Sequence, residues 1–238
     1  MRWDRTKGRA EPVALLDRVP LVECGEPLVD LRLAAPSVRV GYDRTIPYCR
    51  QAVAHMVQKA AEALPAGMFL AVTDAWRPFQ RQQLIYEFMT RSAREAFPTR
   101  SETALKRTVN RWVAPPNRKA PPGHCTGAAL DVILQNDAGD QIDVTSPFDR
   151  MGGGPTFVFG LTPEAEANRM MLYDAMMGAG FSNCRDEWWH YSFGDAGWAV
   201  RLDQPNAIYG LAELPEPLYR EQQEKWEAMH KERPNPFL

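Results

Sequence analysis

The sequence predicts a single α+β domain in which helices pack on a small, mostly antiparallel sheet. The chain has 238 residues, about 1.6 times a typical domain of about 150 residues, so one large domain with extensions is favoured. Its 45% hydrophobic and 24% charged residues are typical of a globular protein. Segments with helical spacing of apolar residues alternate with short apolar runs, which indicates mixed helices and strands. We expect residues 1–47 to form an N-terminal arm of this domain, 48–200 its core and 201–238 a C-terminal extension.

The N-terminal elements follow from proline positions and apolar spacing. Prolines interrupt residues 1–48, which are predicted to be irregular apart from two short strands over 20–24 and 28–33. Apolar residues at helical spacing predict a helix over 49–64, ended by Pro65 and Gly67. The run 68–73 is predicted to be a buried strand, which places Asp74 and the residues after it at the strand's end.

The same signals predict the rest of the chain. In order, they indicate a helix after Pro78, a helix over 102–112, a strand over 128–134, a helix over 163–178, a strand over 188–193 and a charged helix over 217–233. Thr162 is the predicted N-cap of the fourth helix in the chain, with Pro163 at its first position. A stripe on the last helix, formed by Tyr219, Trp226 and Met229, predicts docking onto the domain and leaves open a contact between copies in a homo-oligomer.

Charge and composition exclude several kinds of partner. The 28 Lys and Arg against 30 Asp and Glu leave a net charge of −2, and no basic block is present, so nucleic acid is not an expected partner. No run of 18 apolar residues and no apolar leader are found, which predicts no membrane contact and a cytoplasmic location. The four cysteines are too few for a disulfide scaffold and are interpreted as free thiols.

Two of the four histidines lie beside residues that suit a metal site. His124, Asp131 and His190 make a three-ligand set for Zn²⁺ that leaves the fourth tetrahedral position open for water, as in catalytic sites. Gly127 allows the turn between the first two. Glu187 would share a face with His190 on a helix but not on a straight strand, so a strand needs a bulge or bend here. The sequence leaves both arrangements open. As a carboxylate near the metal, Glu187 is the predicted general base.

Three segments, in this order along the chain, carry a resemblance to a known family. They are Trp76-Arg77-Pro78, then the set His124, Gly127, Ala129 and Asp131, then Glu187, Trp189 and His190. They are similar to the Tyr-Arg-Pro, Ser-x-His-x-x-Gly-x-Ala-x-Asp and Glu-x-Trp-His motifs of zinc D-alanyl-D-alanine dipeptidases and related D,D-carboxypeptidases of the hedgehog/D-Ala peptidase fold. The resemblance runs from about residue 48 to 193.

The resemblance implies a zinc-dependent dipeptidase acting on D-Ala-D-Ala or a similar small D,D-dipeptide. One Zn²⁺ per chain would be held by the two histidines and Asp131, with Glu187 as base. Arg77 would polarise the scissile carbonyl and stabilise the oxyanion, although pairing with Asp74 is an alternative role. Asp149 would hold the free amino group of the dipeptide, or would simply be a turn residue. Trp189 is expected to line the substrate pocket.

Two positions depart from the family pattern and leave the exact dipeptide open. Pro122 replaces the motif serine, and Leu33 stands where we align a tyrosine; both are expected near the substrate. One alternative function is a D,D-carboxypeptidase acting on peptidoglycan stem peptides. Another is a non-catalytic, zinc-stabilised binding module of hedgehog type, in which Cys125 or Cys184 would supply a fourth ligand.

Overall fold

The computed structural model describes residues 13–149 and 152–238, and the expectations for residues 1–12, Arg150 and Met151 lie outside these ranges. The helices are α1 Val13–Leu16, α2 Leu31–Ala34, α3 Gln51–Glu62, α4 Phe79–Ala96, α5 Glu102–Asn110, α6 Pro163–Gly178, α7 Ala196–Arg201 and α8 Arg220–Lys231. The strands are β1 Leu28–Asp30, β2 Arg39–Val40, β3 Tyr48–Arg50, β4 Phe69–Asp74, β5 Ala129–Gln135, β6 Ser182–Asn183 and β7 His190–Ser192. Short 3-10 helices occupy Gly123–Thr126 and Glu216–Leu218.

The main sheet has five strands in the order β2-β4-β5-β7-β6. Only the β2–β4 pair is parallel, whereas β4–β5, β5–β7 and β6–β7 are antiparallel. This confirms the predicted α+β class with a mostly antiparallel sheet. Strands β1 and β3 form a separate antiparallel pair. The edge strand β2 comes from the predicted N-terminal arm, and the division into arm, core and extension stays a prediction.

The core forms because β4 and β5 carry consecutive apolar residues, at 69–72 and 132–134, rather than alternating ones. Leu70 and Val72 of β4 and Val132 of β5 are fully buried, and they belong to one apolar cluster with Val53 of α3 and Leu172 of α6. Strands covered on both sides are typically apolar at every position. The centre of the sheet is therefore held rigidly, and the polar residues at its ends are positioned by that core.

Most predicted elements are present, with shorter ends. Helix α3 lies inside the predicted 49–64 segment, and Thr162 caps α6 by accepting a hydrogen bond from the Ala165 N–H. The strand predicted over 20–24 is wrong: only an isolated bridge joins Leu21 to Ala207. The strand predicted over 28–33 ends at Asp30, because this side chain accepts a hydrogen bond from the Arg32 N–H and caps α2.

The C-terminal helix docks within the chain through its apolar stripe, as predicted. The Tyr219 ring lies edge-on to Trp76 at 5.1 Å between centroids. Trp226 is buried in a cluster with Phe88 of α4, and the Arg81 guanidinium lies 5.0 Å from its ring. The stripe is thus occupied by the protein's own surface. None of the helices among the described residues is long and apolar enough to cross a membrane.

Replacing Gly127 with Ala is expected to lower the free energy of unfolding by about 2–4 kcal/mol, because a left-handed backbone and a steric clash both oppose a side chain there. Gly127 has φ of 73°, and an added Cβ would lie 2.3 Å from Leu28 Cδ2. Gly139 has φ of 88° with no atom within 4 Å of an added Cβ, so Gly139→Ala is the matched control for the backbone contribution. Urea unfolding of both variants measures the difference. Equal losses would show that the approach to Leu28 is unimportant.

Candidate active site

The fold brings His124, Asp131 and His190 together at one end of the sheet. His124 lies in the 3-10 helix that precedes β5, Asp131 lies in β5, and His190 begins β7 directly opposite Asp131. Asp131 Oδ1 is 3.0 Å from His190 Nδ1 and 3.3 Å from His124 Nε2. The side chains are mostly buried, with exposures of 8% for His124, 16% for Asp131 and 14% for His190.

These three residues fit a Zn²⁺ ion. His124 Nδ1 lies 2.9 Å from the Ala75 carbonyl oxygen, which can only accept, so Nδ1 carries the proton and Nε2 is available as a ligand. Zinc bonds of 2.0–2.2 Å in tetrahedral geometry separate ligand atoms by about 3.4 Å, close to the distances around Asp131. Two imidazole nitrogens and one carboxylate oxygen are a donor set that suits zinc.

Electrostatics keep the carboxylate of this cluster ionised. Burial acts to raise the pKa of Asp131, but His124 and His190 outweigh it and hold that pKa well below its usual range. Burial and Arg77 act to lower the pKa of His124, whereas Asp131 outweighs them and raises it. For His190, burial prevails over Asp131 and lowers the pKa. Protons would therefore compete with a bound metal ion mainly at the His124 ring.

No cysteine joins the cluster among residues 13–149 and 152–238. The potential ligands gathered within 4.8 Å of one another are His124, Asp131 and His190. The alternative of a closed four-ligand structural site with Cys125 or Cys184 is therefore not supported by this geometry. Burial raises the pKa of Cys125 to about 12, so this thiol is protonated at neutral pH and is a poor nucleophile.

Cys125 is expected to resist alkylation by iodoacetamide at pH 8, where a pKa of about 12 leaves a thiolate fraction of about 10⁻⁴. The exposed Cys24 of the same chain is the internal control. Peptide mapping by mass spectrometry after timed labelling of the folded protein separates the two sites. Labelling of Cys125 as fast as Cys24 would contradict the inert-thiol interpretation.

Arg77 is fixed close to the cluster by polar contacts on two sides. Its Nε and Nη2 donate to Asp74 Oδ2 at 3.2 and 2.5 Å, and Nη1 donates to Gln82 Oε1 at 2.5 Å. The backbone N–H of Arg77 also donates to the His124 carbonyl. The pairing with Asp74 that the sequence left open is therefore present, and the same guanidinium faces the cavity that contains His124 and His190.

Glu187 lies in a turn just before β7, which is the kind of bend that the strand arrangement requires. Its N–H donates to the Cys184 carbonyl, and the His190 N–H donates to the Glu187 carbonyl, so the segment is neither a helix nor a straight strand. The turn brings Glu187 Oε2 to 3.9 Å from His190 Nδ1. The carboxylate is thus adjacent to the cluster but outside the group of clustered ligand atoms.

A cavity of about 680 Å³ contains the cluster. Asp149, Trp189 and Pro122 line its wall, and their roles toward a substrate stay predictions. Asp149 Oδ1 also accepts a hydrogen bond from the Gly152 N–H, so Asp149 stabilises the turn at Gly152 as well. The expectation for Leu33 is wrong: it is 83% exposed and outside the cavity wall, because α2 buries Leu31 instead.

Several wall residues were missed by the sequence analysis, namely Tyr42, Asp74, Arg81, Gln82 and Trp112. Asp74 was seen only as a partner of Arg77, and the others carry no motif. Helical spacing could have placed Arg81 and Gln82 in the first turn of α4, but not on the side that faces the cavity.

Most of the chain matches a family of peptidases. Residues 42–208 match the model of the peptidase M15 family, described as D-ala-D-ala dipeptidase. The protein is therefore a peptidase. The matched region is more than half of the chain, and the chain belongs to the D-Ala-D-Ala dipeptidase family.

Two curated relatives bear the same family description. The chain is 30% identical over 236 residues to a D-alanyl-D-alanine dipeptidase of Synechocystis sp., covering 82% of this chain and 95% of the relative. It is 26% identical over 148 residues to a D-alanyl-D-alanine dipeptidase of Escherichia coli, covering 62% of this chain and 66% of that protein.

Two solved structures are also similar. One is a mutant of the vancomycin-resistance D,D-pentapeptidase VanY in complex with Zn(II), at 17% identity and a TM-score of 0.40, covering 65% of this chain and 78% of the other. The second is VanYB in complex with D-alanine-D-alanine, at 17% identity and a TM-score of 0.41, with coverages of 67% and 80%.

Proposed function

We propose that the protein is a zinc-dependent dipeptidase that hydrolyses D-Ala-D-Ala or a similar D,D-dipeptide. The observation that carries the proposal is the buried cluster of His124, Asp131 and His190, which opens into a cavity in a chain of this family. These residues would hold one Zn²⁺ through His124 Nε2, an Asp131 oxygen and His190 Nδ1. When bound, the ion would supply Lewis-acid polarisation of a carbonyl oxygen and make water a nucleophile near neutral pH.

Glu187 is the proposed general base. It would take the proton from the attacking water and pass it to the leaving amine. Its position supports this role, since Oε2 lies 3.9 Å from His190 Nδ1 and the side chain is only 15% exposed. A carboxylate held beside the ligands, yet not among them, is placed to exchange a proton with substrate.

Arg77 is the proposed oxyanion partner. A guanidinium fixed before reaction stabilises developing negative charge without the cost of reorganising solvent. The contacts with Asp74 and Gln82 hold this group in place, and its side chain is 11% exposed at the cavity. Two of its N–H groups are not used in these contacts and would face the scissile carbonyl oxygen.

Asp149 and Trp189 are the proposed substrate-binding residues. Asp149 would pair with the free amino group of the dipeptide, and Trp189 would form an apolar wall beside its methyl groups. Both residues line the cavity. Pro122 brings no hydroxyl group to this wall, so the substrate would have one hydroxyl contact fewer than the family motif provides.

A second substrate class, the stem peptides of peptidoglycan, is favoured by the size of the cavity. Pockets of about 300–1,000 Å³ hold drug-sized ligands, so about 680 Å³ is more room than two alanines need. A D,D-carboxypeptidase would use the same residues on a longer chain. The cytoplasmic location, the cell-wall role and a homo-oligomeric state stay predictions.

Alanine release from three peptides tests the proposal. Zinc-loaded protein is incubated with D-Ala-D-Ala, L-Ala-L-Ala and a stem pentapeptide that ends in D-Ala-D-Ala. We expect cleavage of the first peptide only. Release from the pentapeptide would identify a carboxypeptidase instead, and no release from any peptide while one zinc stays bound would overturn the proposed activity.

A further inference from the structure

We propose that Gln82 is a positioning residue for the reaction, which holds the Arg77 guanidinium against the cavity from the side opposite to Asp74. The inference rests on the proposed role of Arg77. Gln82 would not contact the reacting atoms itself. It would orient the Arg77 guanidinium, which does.

The guanidinium of Arg77 is held at all three of its nitrogens. Asp74 Oδ2 accepts from Nε and Nη2, and Gln82 Oε1 accepts from Nη1 at 2.5 Å. Asp74 alone would fix one edge of the planar group and allow it to swing about that edge. The contact at Nη1 removes this freedom. Of the five N–H groups of an arginine, one on each terminal nitrogen remains outside these contacts.

The amide of Gln82 has only one workable orientation. Its Nε2 donates to the Ala114 carbonyl oxygen at 2.7 Å, while Oε1 faces Arg77. Rotating the amide by half a turn would place its NH₂ group against the Arg77 Nη1 donor. It would also place its oxygen against the Ala114 carbonyl oxygen. Gln82 is 1% exposed, so water cannot compensate for such mispairing. The acceptor is therefore presented to Arg77 permanently.

A neutral acceptor also suits the chemistry better than a second carboxylate. Asp74 already neutralises part of the positive charge of Arg77. The remaining charge would stabilise an oxyanion. Gln82 directs the guanidinium without neutralising it further. We therefore expect Gln82→Glu to keep an acceptor at Arg77, but to weaken the positive charge and to oppose two acceptors at Ala114. Gln82→Met should lose the acceptor while keeping a similar volume.

A double-mutant cycle separates positioning from simple packing. Misplacing a catalytic group by about 1 Å can cost about 100-fold. We therefore expect Gln82→Met to lower kcat by about 10–100-fold with KM little changed. In an Arg77→Ala background, the same substitution should lower kcat no further. Gln83→Met is the matched control, because Gln83 is the exposed neighbour on the same helix. Thermal unfolding and zinc content are measured for every variant.

A spectroscopic signal tests the inference independently of activity. The Arg77 Nε–H resonance should show restricted motion in the wild type and Gln82→Glu, and increased mobility in Gln82→Met. An equal loss of kcat from Gln82→Met in both backgrounds, or an unchanged Arg77 signal, would overturn the positioning role. Wild-type activity of Arg77→Ala would instead refute the proposed role of Arg77. Failure of the Gln82 role can therefore be distinguished from failure of the Arg77 role.

Discussion

Replacing Glu187 with Gln should lower kcat by about 10²–10⁴-fold, the usual contribution of a general base. The amide is nearly isosteric with the carboxylate but cannot accept a proton from water. Zinc content should be unchanged, because Glu187 lies outside the clustered ligand atoms although its Oε2 is 3.9 Å from His190 Nδ1. Steady-state hydrolysis of D-Ala-D-Ala, with metal analysis of the same sample, measures both quantities.

Two further variants sharpen this result. Glu187→Asp keeps the carboxylate but withdraws it by one methylene, so its kcat should lie between those of the wild type and Glu187→Gln. Glu213→Gln removes an exposed carboxylate elsewhere and is the control for a general effect of charge. If Glu187→Gln loses zinc together with activity, Glu187 is a ligand and the assigned base role is wrong.

Local signals in the sequence predicted much of the fold. The helix α6 has a Thr162 cap, Pro163 at its first position and a glycine at its end, so its limits follow from short-range chemistry alone. The segment before α3 behaves differently. A strand is predicted over 28–33, but it ends at Asp30, which caps a helix that no apolar periodicity indicates.

The motifs predict most residues of the candidate site, but strand pairing, turns and contacts between distant segments determine how these residues are arranged. The cross-strand pair Asp131 and His190 follows from the register of β5 and β7, which spacing along the chain does not contain. The turn at Glu187 depends on hydrogen bonds within residues 184–190. Gln82 carries no sequence signal at all, because its importance arises from the Ala114 carbonyl of a distant segment.

Replacing Asp131 with Asn should reduce zinc affinity by more than the roughly 10–100-fold that loss of a contact supporting a ligand costs. The reason is that the substitution removes the charge of a proposed ligand from the centre of the cluster. Asp131 Oδ1 lies within 3.3 Å of both imidazoles, and the carboxylate is their shared negative partner. After dialysis against metal-free buffer, zinc content should fall well below that of the wild type. Peptide hydrolysis should fall with it and recover partly in excess zinc.

The pH dependence of zinc binding should also change in Asp131→Asn. Zinc needs the neutral imidazole, so affinity falls as pH drops through the pKa of His124. Asp131 raises that pKa against the opposing effects of burial and Arg77. Without the carboxylate, the pKa of His124 falls, and proton competition should begin at a lower pH in Asp131→Asn than in the wild type. Asp149→Asn, which changes a cavity carboxylate outside the cluster, should leave the zinc titration unchanged. A shift to higher pH in Asp131→Asn would show that Asp131 does not control the proton on His124.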